Sequence, residues 1–164
     1  MMIDFYLLNK YSDEEIQKNA AEIVTYLRKY TKLTQKAFCE LYHIPLGTFR
    51  DWENDRKKPS PYLLEFMYAR VMLDFENAIP SKNKNDISNV KEFYLLNKTQ
   101  DNEIRNNARE ILRELRIIAK LSQRQFCELY HIQHGVLSQW ERNVNRPSQY
   151  LLEFMYARVM LDFK

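Results

Sequence analysis

The sequence predicts an all-α protein made of two tandem copies of one small helical domain. Three observations carry this. Only two glycines occur in 164 residues that are rich in Leu, Glu, Lys, Arg and Tyr. Residues 5–75 and 93–163 align without a gap at an offset of 88, and 44 of those 71 positions are identical. Within each copy, apolar residues recur at spacings of three and four, the signature of a helix packed through one face. The expected layout is residues 1–76 for copy one, 77–91 for a polar linker and 92–164 for copy two. A domain of about 75 residues holds one small core and is marginal alone.

The elements follow in order. Phe5-Tyr6-Leu7-Leu8-Asn9-Lys10 recurs at 93–98 and adds a short apolar segment to each core. Ser12 and Glu15 form a capping box, which starts a helix near Asp13. Its stripe is Ile16, Ala20, Ile23, Leu27 and Tyr30, repeated as Ile104, Ala108, Ile111, Leu115 and Ile118. Thr34 and Ser122 cap a second short helix, since their hydroxyls accept from orphan N–H groups. Phe38, Leu41, Phe126 and Leu129 point inward from it, and it ends at His43 or His131. A third helix covers about 46–54, with Phe49 and Trp52 inside, and about 134–142, with Leu137 and Trp140 inside.

Ser60 as cap and Pro61 at the first position start a fourth helix that runs to about Phe75. Leu63, Leu64, Phe66, Met67, Val71, Met72 and Phe75 cover nearly its whole circumference, so it must be buried on more than one side. One face closes its own domain. The other is assigned to the same helix of the other copy, through Leu64, Met67 and Val71 against Leu152, Met155 and Val159. A self-complementary interface would hold both sequences identical; so would recent duplication. The linker, with its Asn, Ser and Lys, spans roughly 20 Å as a flexible chain.

The totals exclude more than they assert. Residues 1–75 carry 11 basic and 11 acidic side chains, 76–88 two of each, and 89–164 carry 12 and nine, so the net +3 lies in copy two. Such a balance neither requires nor excludes a polyanion partner, because a basic patch can sit in a neutral total. Residues 1–10 show no basic start followed by an apolar run, so no signal peptide is expected. No apolar run approaches the roughly 18 residues of a membrane span. The expectation is a cytoplasmic protein with reduced Cys39 and Cys127 and no membrane partner. Cys39 with His43 and Cys127 with His131 are i,i+4 pairs, but neither copy holds a complete zinc-ligand set, so they read as buried free cysteines. No nucleophile–base set, phosphate loop or carboxylate cluster is present, so neither an enzyme nor a cofactor is expected.

Function is best read where the copies disagree. Tyr62 to Phe75 recurs unchanged in all 14 positions, whereas between Ile44 and Pro59 only three of 14 match: Gly47/Gly135, Trp52/Trp140 and Glu53/Glu141. A scaffold has been kept while one surface was rewritten. The tryptophans read as core, and the glutamates as holding the helix pair together.

Thr34-Gln35, Phe38, Leu41, Ile44, Thr48-Phe49, Trp52-Glu53 and Pro59 resemble the helix-turn-helix of the phage-repressor (Cro/cI, XRE) family. Copy two matches with Ser122-Gln123, Phe126, Leu129, Ile132, Leu137, Trp140-Glu141 and Pro147, so the resemblance covers about 45 residues of each copy. It implies two tandem repressor-like domains of four to five helices, in which the second helix of the pair enters a major groove. By position, the base-reading candidates are Pro45, Leu46, Thr48, Arg50 and Asp51, and Gln133, His134, Val136, Ser138 and Gln139. The family's phosphate-binding glutamine matches Gln35 and Gln123. Lys36, Lys57, Lys58, Arg124, Arg142 and Arg146 are candidates for backbone neutralisation. Gln pairs bidentately with adenine, and Ser or His bonds several base edges, so copy two has the better reading chemistry. In copy one Arg50 suits guanine, but Leu46 offers only apolar contact and Asp51 repels phosphate. The family's turn glycine is replaced by His43 and His131, a residue type that tolerates positive φ better than most. Gly47 and Gly135, inside the recognition helix, hint that something approaches the backbone closely there.

The expected function is therefore sequence-specific binding of double-stranded DNA in transcriptional regulation, in a bacterium or mobile element, one chain reading two unlike half-sites as a pseudo-dimer. A further homodimer is the option beyond that. The second reading is a protein-binding inhibitor or antirepressor, such as an anti-defence factor, built on the same scaffold.

Overall fold

The structure is a computed structural model and describes residues 11–76 and 101–163. The linker 77–91 and the repeated segments 5–10 and 93–98 lie outside them. The chain divides into two units, Met1–Lys84 and Asn85–Lys164. The described residues form ten α-helices, and none is long and apolar enough to cross a membrane.

Unit one contains α1 (Asp13–Lys18), α2 (Ala20–Thr31), α3 (Gln35–Tyr42), α4 (Leu46–Glu53) and α5 (Pro61–Glu76). The Ser12–Glu15 capping box is formed: Glu15 N–H donates to Ser12 Oγ at 3.3 Å and Ser12 N–H to Glu15 Oε2 at 2.9 Å. The helix expected to continue from there is instead two. Asn19, at φ −101° and ψ 17°, ends α1 by donating its N–H to Glu15 O and leads into α2. The bend changes the stripe. Ile16, Ala20, Val24, Leu27 and Thr31 are buried, while Ile23 and Tyr30 are only half-buried. In α3 the inward set is Phe38, Cys39 and Tyr42, with Leu41 half-buried rather than internal. Thr34 caps α3 through Ala37 N–H, as its hydroxyl predicts.

The turn between α3 and α4 is made without glycine. His43 takes the left-handed conformation at φ 55° and ψ 33° and donates its N–H to Cys39 O. The equivalent His131 sits at φ 57° and ψ 32°. Phe38 lies 5.0 Å from Phe49 and 4.8 Å from Tyr42, ring centre to ring centre, and Trp52 joins them at 6.3 Å from Phe49. Each such pair adds about 0.5–1.5 kcal/mol beyond its buried area.

Unit two contains α6 (Asp101–Asn106), α7 (Ala108–Ala119), α8 (Gln123–Tyr130), α9 (His134–Glu141) and α10 (Gln149–Phe163). Asn107 repeats the bend at φ −100° and ψ 18°. The buried stripe is Ile104, Ala108, Leu112, Leu115 and Ala119, with Ile111 and Ile118 half-buried. Leu137 replaces Phe49 and is fully buried, so an aliphatic side chain fills the place of the aromatic one.

The last helix of each unit is tied to the turn-bearing pair by a polar triad, whose aspartate side chain is buried in unit one and partly open in unit two. Tyr42 Oη donates to Asp74 Oδ2 at 2.9 Å, which also accepts from Arg70 Nε at 2.9 Å. Tyr130, Asp162 and Arg158 repeat this at 2.8 and 3.0 Å. Burial pushes the Asp74 carboxyl up, and Arg70 and Tyr42 oppose that shift. In α5 the residues Leu64, Met67 and Val71 are fully buried, as are Leu152, Met155 and Val159 in α10.

Candidate functional site

In each unit the second helix of the turn-bearing pair is fixed from behind. Glu53, at the end of α4, accepts from Arg28 Nε at 2.7 Å and from Gln35 Nε2. Arg28 also reaches Leu33 O at 3.4 Å, so one guanidinium binds α2, the loop before α3 and the end of α4. In unit two Arg116 grips Glu141 with both arms, Nε to Oε1 and Nη2 to Oε2, the latter at 3.0 Å. Gln123 Nε2 donates to Glu141 Oε2 at 2.7 Å, and Arg116 Nη1 to Leu121 O at 3.2 Å. Burial alone would raise the Glu141 carboxyl, but the hydrogen bonds from Arg116 and Gln123 outweigh it and hold it below the usual carboxylate range. The glutamates thus join the helix pair, as their place after tryptophan suggested. Arg28 and Arg116 were not singled out from sequence. Their signal was an arginine kept in both copies amid changed neighbours.

Gln35 and Gln123 are therefore not free amides. Each donates one of its amide's two N–H bonds inward, to the glutamate. Arg50 Nε approaches Gln35 Oε1 at 3.5 Å, which draws that base-reading candidate toward the same corner.

The rewritten stretch lies in front. In unit one Pro45, Gly47, Arg50, Lys57 and Lys58 are exposed, with Leu46 and Thr48 half-buried. Asp51 holds Lys57 at 3.0 Å and Arg56 at 3.9 Å, and Lys58 lies 3.7 Å from Asp55. Lys36 is exposed, 3.9 Å from Glu40. In unit two Gln133, His134, Arg142 and Arg146 are exposed, with Val136, Ser138 and Gln139 half-buried. Asn145 Nδ2 donates to Gln139 Oε1 at 2.6 Å, in the place of the Lys57–Asp51 pair. Arg142 Nε donates to Ser138 O at 3.3 Å, and Arg146 Nη1 to Asn106 Oδ1 at 3.1 Å. Arg124 is exposed and paired with Glu128 at 2.8 Å.

The glycines in this stretch are not required by the fold. A Cβ at Gly47 or Gly135 would meet nothing within 4 Å, and neither has positive φ. No close internal approach accounts for them. Burial raises both thiols, Cys39 and Cys127, to about 11. Among the described residues no group of three or more side chains is arranged to hold a metal ion.

The chain matches no protein-family model, no curated protein and no solved structure.

Proposed function

We propose that the chain binds double-stranded DNA sequence-specifically and regulates transcription, each unit presenting its own reading surface to one of two unlike half-sites. The observation that carries this reading is the division of labour within each unit. The shared Arg, Glu, Gln and Trp side chains are buried or bonded behind the helix pair. Apart from the buried exchange of Phe49 for Leu137, the differing side chains lie exposed or half-buried on α4 or α9 and on the loop that follows. A helix carried across a tight turn with its N-terminal side chains exposed suits the repressor-type mode of entering a major groove. In unit two Gln133, His134 and Gln139 supply amide and imidazole groups for base edges, and Arg124, Arg142 and Arg146 supply cations for phosphates. In unit one Arg50 and Thr48 are the readers, with Lys36, Lys57 and Lys58 at the backbone.

Protein binding by unit one is the second reading. Asp51 favours it: that carboxylate already engages Lys57 and Arg56, so the loop offers phosphate less free charge. Selection from a random duplex pool separates the two readings, using wild type and Gln133→Ala/Gln139→Ala. DNA reading yields an enriched motif of two halves, one of which the variant loses. No enrichment, with any residual binding as loose as that of an unspecific basic protein, would move the assignment to protein binding.

A further inference from the structure

A row of arginines in unit two has no counterpart in unit one. Arg105, Arg109 and Arg113 follow one another at four-residue steps along α6 and α7, where unit one has Gln17, Ala21 and Thr25. Each stands immediately after a buried residue, Ile104, Ala108 or Leu112, so the three share one flank of the buried stripe. Arg109 and Arg113 are about 6 Å apart along α7 at 1.5 Å per residue, and Arg105 precedes them across the bend at Asn107. Like charges at this spacing oppose each other and destabilise a helix. None of the three makes an ion pair or side-chain hydrogen bond among the described residues, although Glu110 and Glu114 stand on the same helix. Arg105 and Arg113 are exposed, and the Nε of Arg109 is buried without a hydrogen-bond partner. The orphaned nitrogen is costly, and the two exposed arginines beside it leave charge that an outside anion would neutralise.

The position of the row indicates what that is. At one end Asn106, beside Arg105, accepts from Arg146 of the loop after α9. Gln17, which holds in unit one the place of Arg105, reaches the corresponding loop by donating to Pro59 O at 2.7 Å. At the other end Arg113 stands three residues before Arg116, which holds Glu141. The row thus lies on a stretch of α6 and α7 that is tied to the loop after α9 at one end, through Asn106, and to Glu141 at the other, through Arg116.

We infer that Arg105, Arg109 and Arg113 form a phosphate-contacting edge beside α9, so that unit two grips the DNA backbone from α6 and α7 as well as from its helix pair. This rests on the DNA-binding reading and deepens it: the two units bind with unequal electrostatic grip. The chemistry is guanidinium to phosphodiester, which positions a protein on duplex DNA without reading sequence.

The test compares wild type with R105Q/R109A/R113T, which installs unit one's own residues at the matching positions, and with R105K/R109K/R113K. Affinity for a selected duplex is measured against salt concentration. Each lost phosphate contact lowers the slope of log affinity on log salt by about 0.9, so the neutral variant should lose roughly two to three from the slope. Its preferred sequence should be unchanged, and the lysine variant should keep most of the slope. Equal slopes in a folded neutral variant and wild type would overturn the edge while leaving DNA reading in place. Wild type that binds no duplex would overturn both. Wild type that binds polyglutamate instead, with binding lost in the neutral variant, would reassign the row to an acidic protein surface. If the neutral variant fails to fold, Arg113→Thr alone, with an expected slope loss of about 0.9, decides in the same way.

Discussion

The loops that follow α4 and α9 solve one geometric problem with opposite chemistry. Both leave their helix through a left-handed residue, Asp55 at φ 56° or Asn143 at φ 60°. Both then fold back so that the side chain six positions after residue 51 or 139 meets it. In unit one the meeting is an ion pair, Asp51 with Lys57; in unit two it is an amide pair, Gln139 with Asn145. The amide pair keeps spare donors and acceptors and no net charge, whereas the ion pair consumes a cation at the surface. At this one pair the same backbone therefore shows an outside partner neutral hydrogen-bonding groups in unit two and a charge-compensated pair in unit one. Differences in binding between the units should arise from these side chains and not from differences in fold.

The largest effect is expected behind that surface. Glu141→Ala leaves Arg116 without its two-armed partner and should cost about 3 kcal/mol in chemical denaturation, as removal of one member of a buried pair does. Glu53→Ala should cost less, because Arg28 makes one bond to Glu53 where Arg116 makes two to Glu141. Equal losses would show that the two anchors are equivalent. The pH dependence has a definite sign. The folded pKa of Glu141 is lowered from 4.5, so the unfolded state binds the proton more readily. Its stabilisation is full above that value and fades as pH falls through the folded pKa. The gap between wild type and Glu141→Gln should therefore narrow on acidification. A gap that widens instead would contradict the assignment.

Exchanging the core residues beneath the two surfaces comes next. Phe49→Leu should cost about 1 kcal/mol through a small cavity, and Leu137→Phe about 1–3 kcal/mol through overpacking. If thermal melting shows both substitutions neutral, the two cores are interchangeable and the aromatic cluster is not specific to unit one. Gly135→Ala has room for its methyl group and should stabilise α9 by about 0.5–1 kcal/mol. If α9 meets a partner closely, the same variant binds more weakly, so a rise in melting temperature with unchanged binding would remove close approach as the reason for the glycine. The smallest effect belongs to Lys57→Asn, since exposed ion pairs are worth about 0.2–1 kcal/mol. It should leave stability nearly unchanged.

Much of this architecture was legible from residues. The capping threonine and serine, the inward Phe38 and Trp52 and the positive-φ histidine turn follow from hydroxyl chemistry, helical period and steric tolerance. Spacing did not reveal the bends at Asn19 and Asn107, because a stripe at spacings of four and three reads equally well along one helix or two. The bend buries Val24 and Leu112 and half-exposes Ile23 and Ile111. Side-chain pairing on the candidate surface was also hidden. Nothing in the order of residues announced that Asp51 would hold Lys57, or that Gln35 and Gln123 would each give an N–H inward, since those meetings depend on how the loop folds back.

Neither residue 43 nor residue 131 is glycine, yet both take the backbone that glycine would adopt most readily, and the chain's two glycines stand a few residues further on, in α4 and α9, where the fold does not require them. A chain arranged this way gives up some intrinsic stability at two points in each unit, and stabilising substitutions at both points should be readily available to mutation. One added methyl group at Gly47 or Gly135 is therefore the smallest change that would separate what the fold asks of the outward helix from what a neighbour would ask of it.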